Sequence, residues 1–217
     1  MVIKSPRFKD KKTRIGEIQA AAKKLFFQRG FEGPPIEEIA KSAGLSKGTI
    51  YLYFESKYDL YISLMVPVTE ELGRRLQEFE NNLNNKRFPT VNEIIMGLFD
   101  VYCQVYKYDP GGLRILQAFQ LSDLFPSIPE ETRERLIGQA RKNRQIVRRI
   151  ISKAKKFTPR NEQKINQFID VIWGSFIGIM QLEESKFWST QKDHLEGTMR
   201  FAFSLIAKAL SSSSFKD

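Results

Sequence analysis

At 217 residues, of which 41% are hydrophobic, the chain is long enough to bury a sizeable core and is not composed like a disordered protein. Thirty-five Lys and Arg against 25 Asp and Glu leave a net charge of +10, which favours an anionic partner: nucleic acid or an anionic membrane surface. One cysteine, Cys103, excludes an intramolecular disulfide and fits a reducing cytoplasm, and one histidine, His194, excludes the common catalytic constellations and metal sites.

No catalytic residue, metal or cofactor is therefore expected, and the protein is not expected to be an enzyme. The first fourteen residues lack the apolar run of a signal peptide, and no apolar stretch approaches the roughly 20 residues of a membrane span. A soluble, cytoplasmic protein is expected, without a membrane partner.

Apolar spacing of three and four residues recurs along the chain, and clean alternation does not, so the expected class is all-α. Ile15, Ile18, Ala22, Leu25 and Phe26 share one face of a first helix, about residues 9–28, closed by Gly30. Pro34-Pro35 precedes a short helix carrying Ile36, Ile39, Ala40 and Ala43, which Gly44 ends. Ser46 suits the N-cap of a third helix reaching about Phe54. Ser56-Lys57-Tyr58-Asp59 reads as a capping box, with Asp in place of Glu, opening a long fourth helix over 57–82. Further helices are predicted over 89–108, 111–121, 129–156, 161–185 and 191–210, separated by an asparagine-rich connection and by breaks at Asp109-Pro110-Gly111-Gly112 and Pro126-Ser127-Ile128-Pro129.

The segment Ile36 to Lys57 carries the functional signal. Two short helices meet at a turn containing Gly44, with Leu45 at the corner, in the order of a helix-turn-helix whose second helix enters the major groove. Ile50 and Phe54, four apart, fall on its inner face, while Lys47, Gly48, Thr49, Tyr51 and Tyr53 lie at or near the outer side. Lys47 offers a charge to phosphate or guanine, and Gly48 lets the backbone approach the duplex. Thr49 offers a hydroxyl and a methyl, and the tyrosines can donate to phosphate oxygens. Lys57, opening the next helix, adds an ammonium to a helix N-terminus that already favours phosphate. Lys4, Arg7, Lys9, Lys11, Lys12 and Arg14 stand against Asp10 before the first helix. Such an arm can reach flanking phosphate or a minor groove, or simply be a solvated tail.

Residues 15–60 resemble the TetR family of regulators along nearly their whole length. The matching pieces are AAKKLFFQRGFEG (Ala21–Gly33), IEEIAKSAGLSKGTIYLYFESKYDL (Ile36–Leu60) and the helix that follows. Two positions depart from the family pattern: Pro34-Pro35 stands where a capping Ser or Thr that touches phosphate is usual, and Leu52 where an aromatic or polar residue is usual. The resemblance implies a three-helix DNA-binding domain over 1–56. It implies an effector-binding and dimerisation domain over 57–217, joined by the helix over 57–82. It further implies a repressor released from a palindromic operator by a small molecule.

Dimerisation has support in the residues themselves. Phe168–Leu182 is apolar on nearly every side, so one side can face its own domain and the other a partner. Gly174 and Gly178 would admit a close helix, and Phe201 and Leu205 of the last helix have a similar role. Phe99, Tyr102, Tyr106, Phe119, Trp173 and Phe176 can line a pocket for an apolar or aromatic effector, or can be plain core. Asn143 falls within the apolar stripe Leu136, Ala140, Val147, Ile151 and Ala154, where its amide can hold a ligand's polar group or a neighbouring backbone. Twelve basic residues from Arg133 to Lys164 face only Glu134 and Glu162, which suits an anionic effector such as an acyl-coenzyme A, a membrane surface, or nothing but solvent. The competing function class is a basic helical interaction module that binds membranes or partner proteins without specific DNA recognition.

Overall fold

The computed structural model describes residues 11–85, 89–154, 162–185 and 195–211. The basic residues before 11, together with His194, lie outside them. The fold is all-α, with ten α-helices and one 3-10 turn among the described residues: α1 (Lys11–Arg29), α2 (Ile36–Ser42), α3 (Lys47–Tyr51), α4 (Lys57–Ser63), α5 (Val66–Asn84), α6 (Val91–Tyr108), α7 (Pro110–Gln120), α8 (Glu130–Ser152), α9 (Glu162–Ser185) and α10 (Leu195–Ser211), with the 3-10 turn at Phe125–Ser127. They form two compact units that interleave in sequence. The first holds the described residues up to Pro67 together with Gly111–Leu136, and the second holds Val68–Pro110 and the described residues from Ile137 onward.

The expected helix over 57–82 is two helices. Pro67 has no N–H to give Ser63, and its ring would crowd that carbonyl, so α4 stops at Ser63. Leu64 and Met65 make i→i+3 bonds to Tyr61 and Ile62 at 3.2 and 2.9 Å, and both are buried at the interruption. The α4 start follows the expectation with one shift. Ser56 Oγ accepts from the Asp59 amide at 3.0 Å, and the Asp59 carboxylate accepts in return from Glu55 rather than from Ser56.

In the first unit Ile18, Ala22 and Phe26 of α1 are buried, with Ile36, Ile39 and Ala40 of α2, Ile50 of α3 and Leu60 and Tyr61 of α4. Phe26, Phe31, Tyr58 and Tyr61 make an aromatic cluster with centroids 4.7–6.0 Å apart. The Tyr61 hydroxyl donates to the Ile115 carbonyl of α7 at 3.5 Å, and burial pushes its pKa up to about 12.

In the second unit α10 packs on α6 and α9. Phe99, Tyr102, Phe176, Met180, Met199 and Phe203 are almost wholly enclosed. Two polar devices tie α5 to α8. Asn143 Nδ2 donates to the Thr69 carbonyl at 2.8 Å while its Oδ1 accepts from Gln139 at 3.0 Å. Gly73 makes room, since a Cβ there would stand 2.6 Å from that oxygen. About two turns beyond Gly73 on α5, Glu80 is buried and takes two bonds of 2.8 Å from the Arg149 guanidinium, with Lys153 at 3.9 Å.

The Arg149 hydrogen bonds hold the Glu80 carboxyl below the usual carboxylate range, against the opposing effect of burial. A group lowered on folding stabilises the fold at neutral pH and loses that contribution as pH falls through its unfolded value, about 4.3, toward the folded one. Urea unfolding of the wild type and Glu80→Gln at several pH values should therefore show the stability difference shrinking as pH falls below about 4.3. At pH 7 the variant should be weaker by roughly 1–3 kcal/mol. A constant difference across the range would assign Glu80 a packing role alone.

Candidate nucleic-acid interface

α2 ends in a hydrogen-bonded reversal. Gly44 has φ +68°, its amide donates to Lys41, and the Leu45 amide donates to Ala40 at 2.8 Å. This two-bond closure with glycine at the left-handed position is the Schellman motif, and it sets the exit direction of the chain toward α3. Ser46 follows as N-cap, with Oγ accepting from the Thr49 amide at 3.1 Å. Pro35 stands at the N-cap of α2, where no side chain caps the helix.

Ile50 and Phe54 face inward and are buried, whereas Tyr51 is 45% and Leu52 79% exposed. Lys47 and Gly48 are exposed, and Thr49 and Tyr53 are partly so. Lys47, Gly48, Thr49, Tyr51 and Tyr53 thus share one short helix and the turn after it. Two of them are already engaged. Thr49 Oγ1 lies 2.8 Å from Ser46 Oγ, and Lys47 Nζ lies 2.6 Å from Glu37 Oε1 of α2. The hydrogen bond to Glu37 holds the Lys47 pKa above its ordinary value, and that to Lys47 holds Glu37 below. Glu37 has no place in the sequence reading, since nothing in its local pattern distinguishes it from Glu38, which pairs with Arg29 at 2.5 Å.

Lys57 opens α4 but is anchored inward. Its ammonium donates to the Glu32 carbonyl at 3.2 Å and sits 4.7 Å over the Phe31 ring. Burial lowers its pKa. Lys57 therefore closes the α1–α2 corner as well as presenting charge.

In the second unit, Tyr102 stacks on Phe176 at 5.0 Å and meets Trp173 and Phe203 edge-on, and Phe203 meets Phe99 at 5.9 Å. Phe99, Tyr102 and Phe176 are closed off by one another, while Trp173 and Tyr106 are only partly buried. Phe119 belongs to the first unit, 6.4 Å from Phe125. Asn143 spends its amide on the Thr69 backbone and Gln139. Cys103 lies 3.8 Å from Met199 Sδ, and burial pushes its thiol up to about 11, so it stays protonated at neutral pH.

α9 has the two-sided character expected of it. Ile169, Ile172, Phe176 and Met180 are buried, and Val171 and Leu182 are 53% and 47% exposed on the same side as Gly174 and Gly178. A Cβ at either glycine would meet nothing within 4 Å. On α10, Phe201 and Leu205 are 66% and 50% exposed.

A capped, outward-facing helix fixed across a glycine turn against the buried face of its partner helix defines a helix-turn-helix protein. Residues 18–64 match the family described as bacterial regulatory proteins, tetR family. It is similar to a fatty acid metabolism regulator protein of Bacillus subtilis, 35% identical over 78 residues, which is 36% of this chain and 39% of that one. It is also similar to the HTH-type transcriptional activator FasR of Mycolicibacterium smegmatis, 38% identical over 103 residues, 48% of this chain and 45% of that one. The match thus spans less than half the length of either curated relative. The transcriptional regulator FadR of Bacillus subtilis, solved in complex with stearoyl-CoA, shares the fold with a TM-score of 0.60 at 19% identity, over 88% of this chain and 97% of that one.

Gly48 offers a test of close approach. A Cβ there would meet only Ser46 Oγ, at 3.9 Å, so Gly48→Ala should leave the melting temperature nearly unchanged. If the α3 backbone lies against a duplex, the same methyl should weaken DNA binding by roughly tenfold, in the range of a lost base contact. Unchanged binding would place the helix further from the duplex.

Proposed function

We propose that the protein is a homodimeric transcription regulator that reads a palindromic operator with α3 and is released from it by a small-molecule effector, acting as a repressor. The observation that carries the reading is the exposed, N-capped α3, with Lys47, Gly48, Thr49 and Tyr51 turned outward while Ile50 and Phe54 anchor it. The DNA-binding domain proposed is 1–56, with the remainder, 57–217, serving dimerisation and effector binding. The net charge of +10 supplies the phosphate attraction such a reader needs. No helix among the described residues is long and apolar enough to cross a membrane.

The dimer would form through the exposed side of α9, where Gly174 and Gly178 lie on one side with Val171 and Leu182, together with the exposed Phe201 and Leu205 of α10. An exposed apolar strip interrupted by glycines suits a second copy of the same helix pair. Phosphate contacts doubled by two subunits, on the order of 6–10, should make affinity fall by roughly 10³–10⁵ between about 50 and 200 mM salt. Gly178→Arg should yield a monomer by sedimentation and lose that binding, because two half-sites are read together. A monomeric variant with full affinity would remove the dimer from DNA recognition. Binding to anionic liposomes, with none to DNA, would favour the membrane-binding module instead.

For the effector we propose a molecule with an apolar or aromatic body and an anionic group, a fatty acyl-coenzyme A above others. Trp173, partly exposed, stands at the edge of the aromatic cluster against Tyr102 and Phe176. Arg141 and Lys142 of α8 have no acidic partner within 4 Å among the described residues. Support also comes from the fatty acid regulator among the relatives and the stearoyl-CoA complex among proteins of this fold. Calorimetric titration of stearoyl-CoA should give a weaker affinity with saturating DNA than without, by the same factor that the ligand weakens DNA binding. Equal affinities in the two titrations would exclude stearoyl-CoA as the inducer, and transcription in vitro would show the sign of regulation.

A further inference from the structure

We infer that Glu37 is a positioning residue that converts Lys47 from a general phosphate ligand into a reader of a guanine edge in the major groove. The inference rests on the DNA-reading role proposed above and identifies what one residue of that site recognises.

The geometry is that of a tether. Lys47 is the first residue of α3, and its ammonium is held 2.6 Å from Glu37 in the first turn of α2. Both side chains are more than half exposed, at 52% and 58%, on the outward side of the motif. An exposed pair of this kind contributes little to stability, so the fold does not require it. The turn between the two helices is fixed by Gly44 and its two backbone bonds, and the start of α3 by Ser46, so the carboxylate is presented from a stiff frame.

A free lysine is a point charge on a four-carbon stem, and any phosphate within reach satisfies it. Lys47 has three donors, and Glu37 takes one, which leaves the other two aimed from a defined position. A phosphate brought to that position would bring a second negative group close to the Glu37 carboxylate and be repelled by it. Guanine N7 and O6 accept hydrogen bonds without a formal charge, so they fit beside the ion pair where phosphate does not. The same side of the motif carries Pro34-Pro35 in place of a capping hydroxyl, followed by Glu37 and Glu38. Near Lys47 it therefore offers the Glu37 carboxylate in place of a hydroxyl, while Glu38 is held by Arg29. With a net charge of +10 the chain has phosphate attraction in surplus, and what Glu37 adds is discrimination.

The test uses the full-length protein, with Glu37→Gln and Lys47→Met, separately and together. The probes are a duplex that the wild type recovers from a randomised pool, and a shuffled duplex of the same composition. Each guanine of the recovered duplex is replaced in turn by 7-deazaguanine, which removes the N7 acceptor. One such replacement per half-site should weaken the wild type roughly tenfold and leave Lys47→Met unaffected. Glu37→Gln should lose most of that sensitivity and bind the shuffled duplex more tightly. Its log–log salt slope should steepen by about 0.9 for each lysine set free. Adding Glu37→Gln to Lys47→Met should then change nothing. Recovery of no preferred duplex by the wild type would overturn the DNA-reading role itself. A preferred duplex with no 7-deazaguanine effect, or with an equal effect in Glu37→Gln, would leave that role standing and overturn the assignment of Glu37 and Lys47.

Discussion

At φ +68°, Gly44 occupies the left-handed region that side chains with a Cβ adopt at a cost, and the rest of the reading head depends on that single dihedral. It lets the last carbonyls of α2 be satisfied by Gly44 and Leu45 and turns the chain within three residues. Ser46 can then cap α3, and Ile50 and Phe54 can drop into the core formed with Ile39 and Ala40. The outward display of Lys47, Gly48 and Tyr51 is the complement of that burial, because a helix of five residues has no stability of its own. The apolar side holds it in place, and the other side is left at the surface.

The second unit solves a different problem. α5 and α8 bury Val68, Leu72, Leu76, Leu83, Val147, Ile150 and Ile151 and are fastened by polar groups as well: Asn143 on the Thr69 backbone, Gly73 clearing the approach, and Glu80 between Arg149 and Lys153. Buried polar groups that are fully satisfied define register more sharply than aliphatic contact does, since a shift of one turn would leave each of them unpaired. Apolar burial comes from aliphatic residues of these helices together with the aromatic core around Tyr102, Phe176 and Phe203, and the polar ties add definition to the geometry.

The first sixty residues are legible because each turn residue there has one physical role. Gly30 and Gly44 need positive φ, Ser46 and Ser56 cap, and Ile50 and Phe54 lie four apart. The interruption between α4 and α5 also had its signal, in Pro67, but a capping box upstream and apolar spacing on both sides obscure it. The two-sided character of α9 follows from its excess of apolar residues. What the sequence could not disclose is pairing across space. Glu37 with Lys47 and Glu80 with Arg149 join residues ten and sixty-nine apart, and a carboxylate within a polar stretch looks the same whether it is solvated or enclosed. The aromatics are recognisable as a set, but which of them pack on one another, and that Phe119 stands with Phe125, depends on the fold.

The first unit recruits Gly111–Leu136 from much later in the chain, and Tyr61 reaches the Ile115 backbone there. Leu113, Ile115, Leu116 and Phe119 of this stretch are buried. The compact unit that carries the proposed DNA-binding domain is thus discontinuous in sequence. A chimera that joined residues 1–67 alone to a foreign sensor would expose the surface that α7 covers. Swapping regulators of this architecture therefore calls for grafting two segments rather than one.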